Sequence, residues 1–173
     1  MSLLSDIAAD LAVLEGPKSS RMMNRGFHAL IGYRIARALA LRKVPLIPMF
    51  LTRIVQILYG IDLDYMAQIA PGVRIFHGMG LVIGWGAIIG SGCTFYHGVT
   101  IGQSDVVQLV LPTLGKNVWV FAGAKVLGPI TIGDGARIGA NAVVTKDVPA
   151  GALAVGVPAR IVSRSAPIDE APN

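Results

Sequence analysis

The chain has 173 residues, which is enough for one compact domain with a modest extension and too few for two domains of ordinary size. It is 53% hydrophobic and only 14% charged, a composition that favours a large buried interface between subunits. A net charge of +5 would suit nucleic acid, but the sequence has no run of Lys or Arg and few aromatic residues. We therefore expect an anionic small molecule, and no nucleic acid, as the partner.

The first 60 residues have the periodicity of helices. Aliphatic residues recur at helical spacing ahead of Gly16-Pro17: Leu3, Leu4, Ile7, Leu11 and Leu14. A second helix is predicted from Met22 to Lys43, and a third, short helix follows Pro48. We therefore predict an N-terminal helical region over residues 1–60.

This helical region is basic, and it holds the most apolar stretch of the chain. The basic residues predict a solvated face, with contact between these helices and an acidic membrane or partner as the alternative. The apolar stretch, Val44 to Gly60, is interrupted by Pro45, Pro48 and Arg53 and falls short of the roughly 20 apolar residues of a spanning helix. Because the N-terminus also lacks the features of a secretory signal, we expect a cytoplasmic protein, with the inner face of the membrane as its one alternative site.

After Gly60 the period changes to six residues. One large apolar residue recurs in each unit: Ile69, Ile75, Ile83, Ile89, Phe95, Ile101, Leu114, Val120, Val126, Ile132, Ile138 and Val144. A small residue follows four places after most of them. This pattern predicts a short strand followed by a tight turn, with three units closing one triangular coil. We predict a mainly β protein whose parallel β-helix covers residues 61–162, and a disordered tail over residues 163–173.

Two breaks in the period mark the places where a coil must bulge outward. Two extra residues stand between Ile75 and Ile83, and seven extra residues stand between Ile101 and Leu114, where they form a loop from Gln103 to Pro112. Regular coils fold without such excursions, so we expect function near these breaks.

Two of the three histidines of the chain fall on this repeat. His77 and His97 occupy the third position of their hexapeptides and are three units, or one coil, apart. The spacing predicts that the two imidazoles lie over one another, at about the 4.8 Å separation of neighbouring strands. Such a pair can accept a hydroxyl proton near neutral pH; the alternative is that one or both only bond the backbone at a turn. No third ligand stands at a useful spacing, so we predict no metal site.

The segment from Tyr33 to Ile161 resembles the serine acetyltransferase family and its relatives that acetylate sugars of surface polysaccharides. The matching stretches are Gly60-Ile61-Asp62, Ile75 to Gly80, His97 to Gly102, Gly123 to Gly128 and Gly156 to Ile161. The resemblance implies a left-handed β-helix that forms a homotrimer, with acetyl-CoA as co-substrate in a groove between neighbouring subunits. It therefore implies an O-acetyltransferase.

The resemblance also implies roles for individual residues. The family uses a histidine as general base, oriented by an aspartate fifteen residues upstream, and His77 and Asp62 have this spacing. We include His97 as a further catalytic candidate. The implied binding positions for CoA are Gly102, Ala122, Gly123, Ala140, Pro158 and Arg160.

Two departures from the family bear on the acceptor. The family has an aspartate before the catalytic histidine and an Arg-His pair before the proline of the large loop, where this chain has Phe76 and Val110-Leu111. Because a zwitterion needs charged partners in its site, we predict a saccharide hydroxyl as the acceptor, bound by Phe76, Tyr96 and Leu111. The alternatives are serine acetylation for cysteine synthesis and a non-catalytic scaffold.

Overall fold

The computed structural model of the protein describes residues 2–104 and 110–162. Four helices come first: α1 (Leu3–Ala12), α2 (Lys18–Met22), α3 (Arg25–Leu41) and α4 (Ile47–Tyr59). None of the helices in these two ranges is both long enough and apolar enough to span a bilayer. The helix predicted from Met22 to Lys43 corresponds to α3, which begins at Arg25 because the Asn24 side chain accepts a hydrogen bond from Phe27 N at 2.9 Å and caps it. The short helix α2, which precedes it, was not predicted.

Short strands follow in chain order. They are β1 (Asp62–Leu63), β2 (Gln68–Ile69), β3 (Arg74–Phe76), β4 (Val82–Ile83), β5 (Ile88–Ile89), β6 (Thr94–Tyr96), β7 (Thr100–Gly102), β8 (Thr113–Leu114), β9 (Trp119–Val120), β10 (Lys125–Leu127), β11 (Thr131–Ile132), β12 (Arg137–Ile138), β13 (Val143–Val144), β14 (Leu153–Val155) and β15 (Arg160–Val162).

These strands form three sheets, and successive strands from β1 to β13 enter different sheets in rotation. Sheet A has the order β1-β4-β7-β10-β13, sheet B has the order β11-β8-β5-β2, and sheet C has the order β15-β14-β12-β9-β6-β3. The pairs are parallel except β14 with β15, which is antiparallel. This is a parallel β-helix behind a helical N-terminal region, and the predicted fold class is confirmed.

The repeated aliphatic residues form the core. In sheet A, Ile83 pairs with Ile101, and Ile101 pairs with Val126, so that one column of side chains runs through the successive coils. All three are buried, as are the small residues that follow them in the repeat, such as Ala87 and Ala124. The six-residue period therefore reflects a narrow interior that accepts one large and one small side chain per side.

A buried polar cluster joins the helices to the first coil. Arg34 binds the Asp10 carboxylate at 2.9 Å through Nε, and Asp10 Oδ1 also accepts the backbone N–H of Gly72 at 2.8 Å. Beside it, the Tyr33 hydroxyl donates to Ala67 O at 2.6 Å and accepts from Ile69 N at 3.0 Å. Helices α1 and α3 are thus fixed to the β-helix by satisfied polar groups, which buried polar atoms require.

Both breaks in the period lie outside the strands. Residues 77–81 form the first, between β3 and β4. The second runs from β7 to β8; its residues 105–109 lie outside the described residues, and so does the predicted disordered tail, residues 163–173. The first break is the one whose geometry can be followed completely.

Candidate active site

The strands of sheet C lead into the strands of sheet A along one edge of the β-helix, here called the C–A edge. A ladder of backbone hydrogen bonds defines it. Gly98 N donates to Met79 O at 2.9 Å, Gly123 N to His97 O at 2.9 Å, and Asn141 N to Ala122 O at 2.8 Å. Corresponding positions of successive coils on this edge are therefore Met79, His97, Ala122 and Ala140.

His77 stands outside this ladder. The register of β3 with β6 pairs Phe76 with Tyr96, so the two histidines leave their strands at equivalent points. The two inserted residues then place Met79, not His77, beside His97, and His77 adopts a left-handed backbone with φ 49°. The direct stacking of two imidazoles is therefore corrected, because the insertion moves His77 out of register with His97. The His77 side chain is exposed.

A cavity of about 310 Å³ lies beside His77. Its walls come from the His77 corner, from the first turn of α3 and from the end of α4; they are Asn24, Arg25, Gly26, Tyr59, Ile61, Phe76, His77, Gly78 and Met79. The volume is near the lower end of the range for small-molecule sites. An imidazole in a small concave site is positioned to accept a proton from a bound hydroxyl group.

Asp62 occupies a neighbouring but separate cavity. Its Oδ2 accepts a hydrogen bond from Gln56 Nε2 at 3.0 Å, and the cavity of about 200 Å³ that it lines does not include His77. Partial burial raises the pKa of the Asp62 carboxyl, the Asp64 charge raises it further, and Arg53 opposes both. Within the described ranges no hydrogen bond joins Asp62 to His77, so the predicted orienting contact is not made in this structure.

The predicted CoA positions divide between two edges. Ala122, Gly123 and Ala140 follow His97 along the C–A edge. Pro158 stands in the turn after β14, a strand of sheet C, and the turn is tied to sheet A where Ala159 N donates to Val143 O at 2.8 Å. The structure thus brings these four positions to one edge of the molecule, whose small residues leave the backbone accessible.

The other two predicted CoA positions, Gly102 and Arg160, do not lie on the C–A edge. Gly102 ends β7, where sheet A leads into sheet B, so within one chain it lies on another edge of the triangular coil. Arg160 begins β15, which pairs antiparallel with β14 and is exposed. A single chain therefore does not gather all six predicted positions around one groove.

The three residues predicted to bind the acceptor do not lie together in the structure. The rings of Phe76 and Tyr96 stack at 5.3 Å between centroids, and Tyr96 stacks on Phe121 at 5.3 Å, so a half-buried aromatic row covers the outside of sheet C beside the C–A edge. The prediction that Leu111 contacts the acceptor is corrected, because its side chain is 8% exposed and belongs to the core. Its Cδ2 is so near Gly84 that a Cβ there would lie 2.8 Å away, because the apolar side chain packs onto the coil.

Sequence reasoning missed the helical wall of the cavity. Asn24, Arg25 and Tyr59 precede His77 by 18 to 53 positions, and only the docking of α3 and α4 brings them there. The close approach has one visible cause, since a Cβ on Gly26 would lie 2.6 Å from Ile75 Cβ. Phe121 was also missed, although it occupies the repeat slot of Phe76 and Tyr96.

The chain is similar to proteins of known family. The model of the bacterial transferase hexapeptide (six repeats) family matches residues 112–146. The serine acetyltransferase of Helicobacter pylori strain J99 is 46% identical over 80% of this chain and 82% of its own length. That of Synechococcus elongatus is 44% identical over 81% of this chain, which spans 58% of that relative's length. A solved structure of serine acetyltransferase in complex with CoA has a TM-score of 0.88 at 32% identity, over 93% of this chain and 70% of the other.

These similarities correct one prediction. The saccharide acceptor, inferred from Phe76 and Val110-Leu111, is wrong, because the similar proteins are serine acetyltransferases over most of the chain rather than polysaccharide-modifying enzymes. The resemblance on which the prediction was based is confirmed. The 46% identity over most of both chains, together with the hexapeptide match and the structural similarity, shows that the chain belongs to the serine acetyltransferase family of hexapeptide-repeat acyltransferases.

Proposed function

We propose that the protein transfers an acetyl group from acetyl-CoA to the hydroxyl of serine. The observation that carries the proposal is the similarity of about four fifths of the chain to serine acetyltransferases. The helical region of residues 1–60 supplies one wall of the site, and the β-helix of residues 61–162 supplies the base and the groove for the donor.

His77 is the general base of the proposed reaction. Its imidazole takes the proton from serine Oγ as that oxygen attacks the carbonyl carbon of the thioester. A C–O bond forms, the C–S bond breaks, and the imidazolium returns the proton to the sulfur of CoA. No covalent enzyme intermediate is needed. The support for this role is the exposed imidazole that lines the cavity of about 310 Å³.

Asp62 and His97 have secondary roles in this proposal. The raised pKa of Asp62 reflects a carboxylate that lacks a cationic partner strong enough to offset its burial. An imidazolium forming on His77 would supply such a charge, so we assign Asp62 to stabilising that cation. His97 lies within the backbone ladder next to the predicted donor positions, and we assign it to the wall of the donor groove.

The proposal includes a homotrimer. Gly102, a predicted donor position, lies where sheet A leads into sheet B, an edge different from that of His77, so it can approach the donor groove beside His77 only from a neighbouring copy. In such a trimer acetyl-CoA lies between the C–A edge of one subunit and the next subunit. Sedimentation equilibrium tests this assembly: the expected mass is three times the 18.1 kDa of one chain, and a monomer would contradict it.

We also propose that the protein is cytoplasmic and binds the inner face of the membrane through α4. The outward face of α4 is apolar, with exposed Phe50, Ile54 and Ile57. Between Glu15 and Asp62 the chain has Lys and Arg but no Asp or Glu, which suits anionic lipids better than a second copy of the same basic surface. Co-sedimentation with phosphatidylglycerol vesicles that is lost in Ile57→Asp supports the contact; no sedimentation, or a trimer that dissociates in this variant, contradicts it.

The activity itself is tested with purified protein, acetyl-CoA and L-serine. The expected result is release of CoA with formation of O-acetylserine in equal amounts, detected by thiol titration and mass spectrometry. Omitting serine gives the background of thioester hydrolysis. An equal rate with and without serine, in a protein that remains folded, would contradict the proposal and favour the scaffold.

A further inference from the structure

The chain lacks the charged groups that its family uses to hold the amino acid. Phe76 stands at the aspartate position, and Val110-Leu111 stand at the Arg-His position. Leu111 is moreover buried in the core, where it cannot meet a ligand. If serine is the acceptor, as proposed above, another group must meet its carboxylate, because a charge that enters a small cavity without a partner is costly.

The cavity at His77 contains one such group. Of the nine residues that line it, Arg25 carries the permanent charge, and none is an Asp or Glu. In residues 2–104 and 110–162 the ion pairs are Asp10–Arg34 and Glu15–Arg74, so no carboxylate there neutralises Arg25. The cavity therefore favours an anionic group over a cationic one.

Packing holds the backbone of Arg25 in place, while its side chain is exposed. Arg25 begins α3, and the next residue, Gly26, lies so close to β3 that a Cβ on it would be 2.6 Å from both Ile75 Cβ and Ile75 O. His77 is only two residues beyond Ile75. The contact holds the first turn of α3 against the strand that leads to the base, and a residue larger than glycine would separate them.

We infer that Arg25 binds the carboxylate of the acceptor and thereby presents its hydroxyl to His77. A guanidinium can form two parallel hydrogen bonds with a carboxylate, which fixes orientation as well as adding affinity. Arg25 and the His77 corner both line the cavity, and its volume of about 310 Å³ holds a small amino acid. Arg25 is thus a residue that determines specificity for the acceptor, and it has no role in binding the donor.

The test compares Arg25→Gln with Arg42→Gln, the same exchange at the opposite end of α3, where Arg42 is its exposed C-cap. Serine binding is measured by titration calorimetry in the presence of CoA, and KM and kcat are measured for both substrates. We expect Arg25→Gln to raise the serine Kd and KM by about tenfold or more, as loss of a charge-assisted hydrogen bond predicts. The KM for acetyl-CoA stays unchanged, Arg25→Lys recovers part of the loss, and Arg42→Gln resembles the wild type.

A second compound tests whether Arg25 recognises the carboxylate of serine rather than another part of it. Serinamide, which has no carboxylate, is expected to bind wild type and Arg25→Gln equally well. If the wild type acetylates serine and Arg25→Gln leaves the serine KM unchanged, the inference is overturned while the proposed function stands. If the wild type binds serine through Arg25 but forms no product, the proposed function fails and the inference stands. Absence of any Arg25-dependent binding of serine overturns the inference in every case.

Discussion

Two corners of the β-helix have the same residue pattern but different backbones. Phe76-His77-Gly78 and Tyr96-His97-Gly98 both follow strands of sheet C, and their aromatic residues are paired. At the second corner Gly98 adopts φ 66° and the chain turns at once into sheet A. At the first, His77 itself adopts φ 49°, and the turn that corresponds to Gly98 is made by Gly80, three residues after His77. One insertion thus separates a histidine that lines a cavity from one that continues a ladder.

The difference teaches that a solenoid can create a site without altering its core. Ile75 and Ile83 remain buried on either side of the insertion, in register with the coils that follow. The inserted Gly78 is packed so closely that a Cβ on it would lie 2.5 Å from Ile75 Cγ2 and 2.7 Å from Ile61 Cδ1. The bulge is therefore held as firmly as the coils, which a catalytic base requires.

The strongest way to break the comparison is to delete Gly78-Met79, which makes the first corner equal in length to the second. We expect the β-helix to remain folded, because the aliphatic register is restored to six residues. Acetylation of serine is expected to fall about 1,000-fold or more, since both the position of the base and one cavity wall are lost. Circular dichroism and gel filtration confirm folding; activity above half of the wild-type value would contradict this account of the corner.

Replacing the base alone has the next largest effect. His77→Asn is expected to lower kcat by about 100-fold or more, a typical loss for a general base, while the KM for acetyl-CoA changes little. Because the wild-type side chain is exposed, thermal stability should not change. Steady-state kinetics with L-serine provide the measurement, and a fall in kcat smaller than tenfold would assign the proton transfer to another group.

Asp62→Asn is expected to have a smaller effect, about tenfold on kcat, because it removes only the stabilisation of a transient cation. Its effect on stability has the opposite sign. The pKa of Asp62 is raised above its ordinary value of 3.8, so folding favours the protonated carboxyl. That contribution is present below the ordinary value and is lost as the pH rises through the raised pKa.

Thermal unfolding between pH 4 and pH 8 checks this sign. At pH 7 Asp62→Asn is expected to be more stable than the wild type, because the amide oxygen of the new side chain would still accept the hydrogen bond from Gln56 without carrying a partly buried charge. The difference should shrink toward pH 4. A variant that is less stable at pH 7 would show that the Asp62 charge is paired in the folded protein.

His97→Asn tests the second corner of the β-helix in the same way. This is the same exchange as at His77 and on an equally exposed histidine, but at the corner without the insertion. We expect kcat to stay within about threefold of the wild type, since only a group that transfers the proton gives the loss of 100-fold or more. A modest rise in the KM for acetyl-CoA would agree with a place in the donor groove. A loss equal to that of His77→Asn would make the two histidines a functional pair.

The repeat could be predicted from the sequence because it follows from local geometry. A narrow triangular coil accepts a large and a small side chain in fixed slots, and residues such as Ile83, Ala87 and Ile89 show those slots directly. The breaks in the period were equally visible. The conformation inside the first break was not, because the sequence does not show which residue of His77-Gly78-Met79-Gly80 takes the place of His97-Gly98 in the ladder.

The cavity and the acceptor needed information that no local pattern holds. Arg25 comes 52 positions before His77, and only the packing of α3 on β3 brings them together. The residues at the acceptor positions, Phe76 and Leu111, do not show in the sequence that a charge from α3 lies nearby. Nor does the sequence show that the Leu111 side chain is buried in the core.

The central claim is that the His77 corner, and not the His97 corner, meets the acceptor hydroxyl. A crystal structure of the protein with CoA and L-serine bound measures this most directly. The account predicts serine Oγ at about 2.6–3.2 Å from an imidazole nitrogen of His77, the reach of a general base. Serine Oγ placed at that distance from His97, with His77 out of reach, would contradict it.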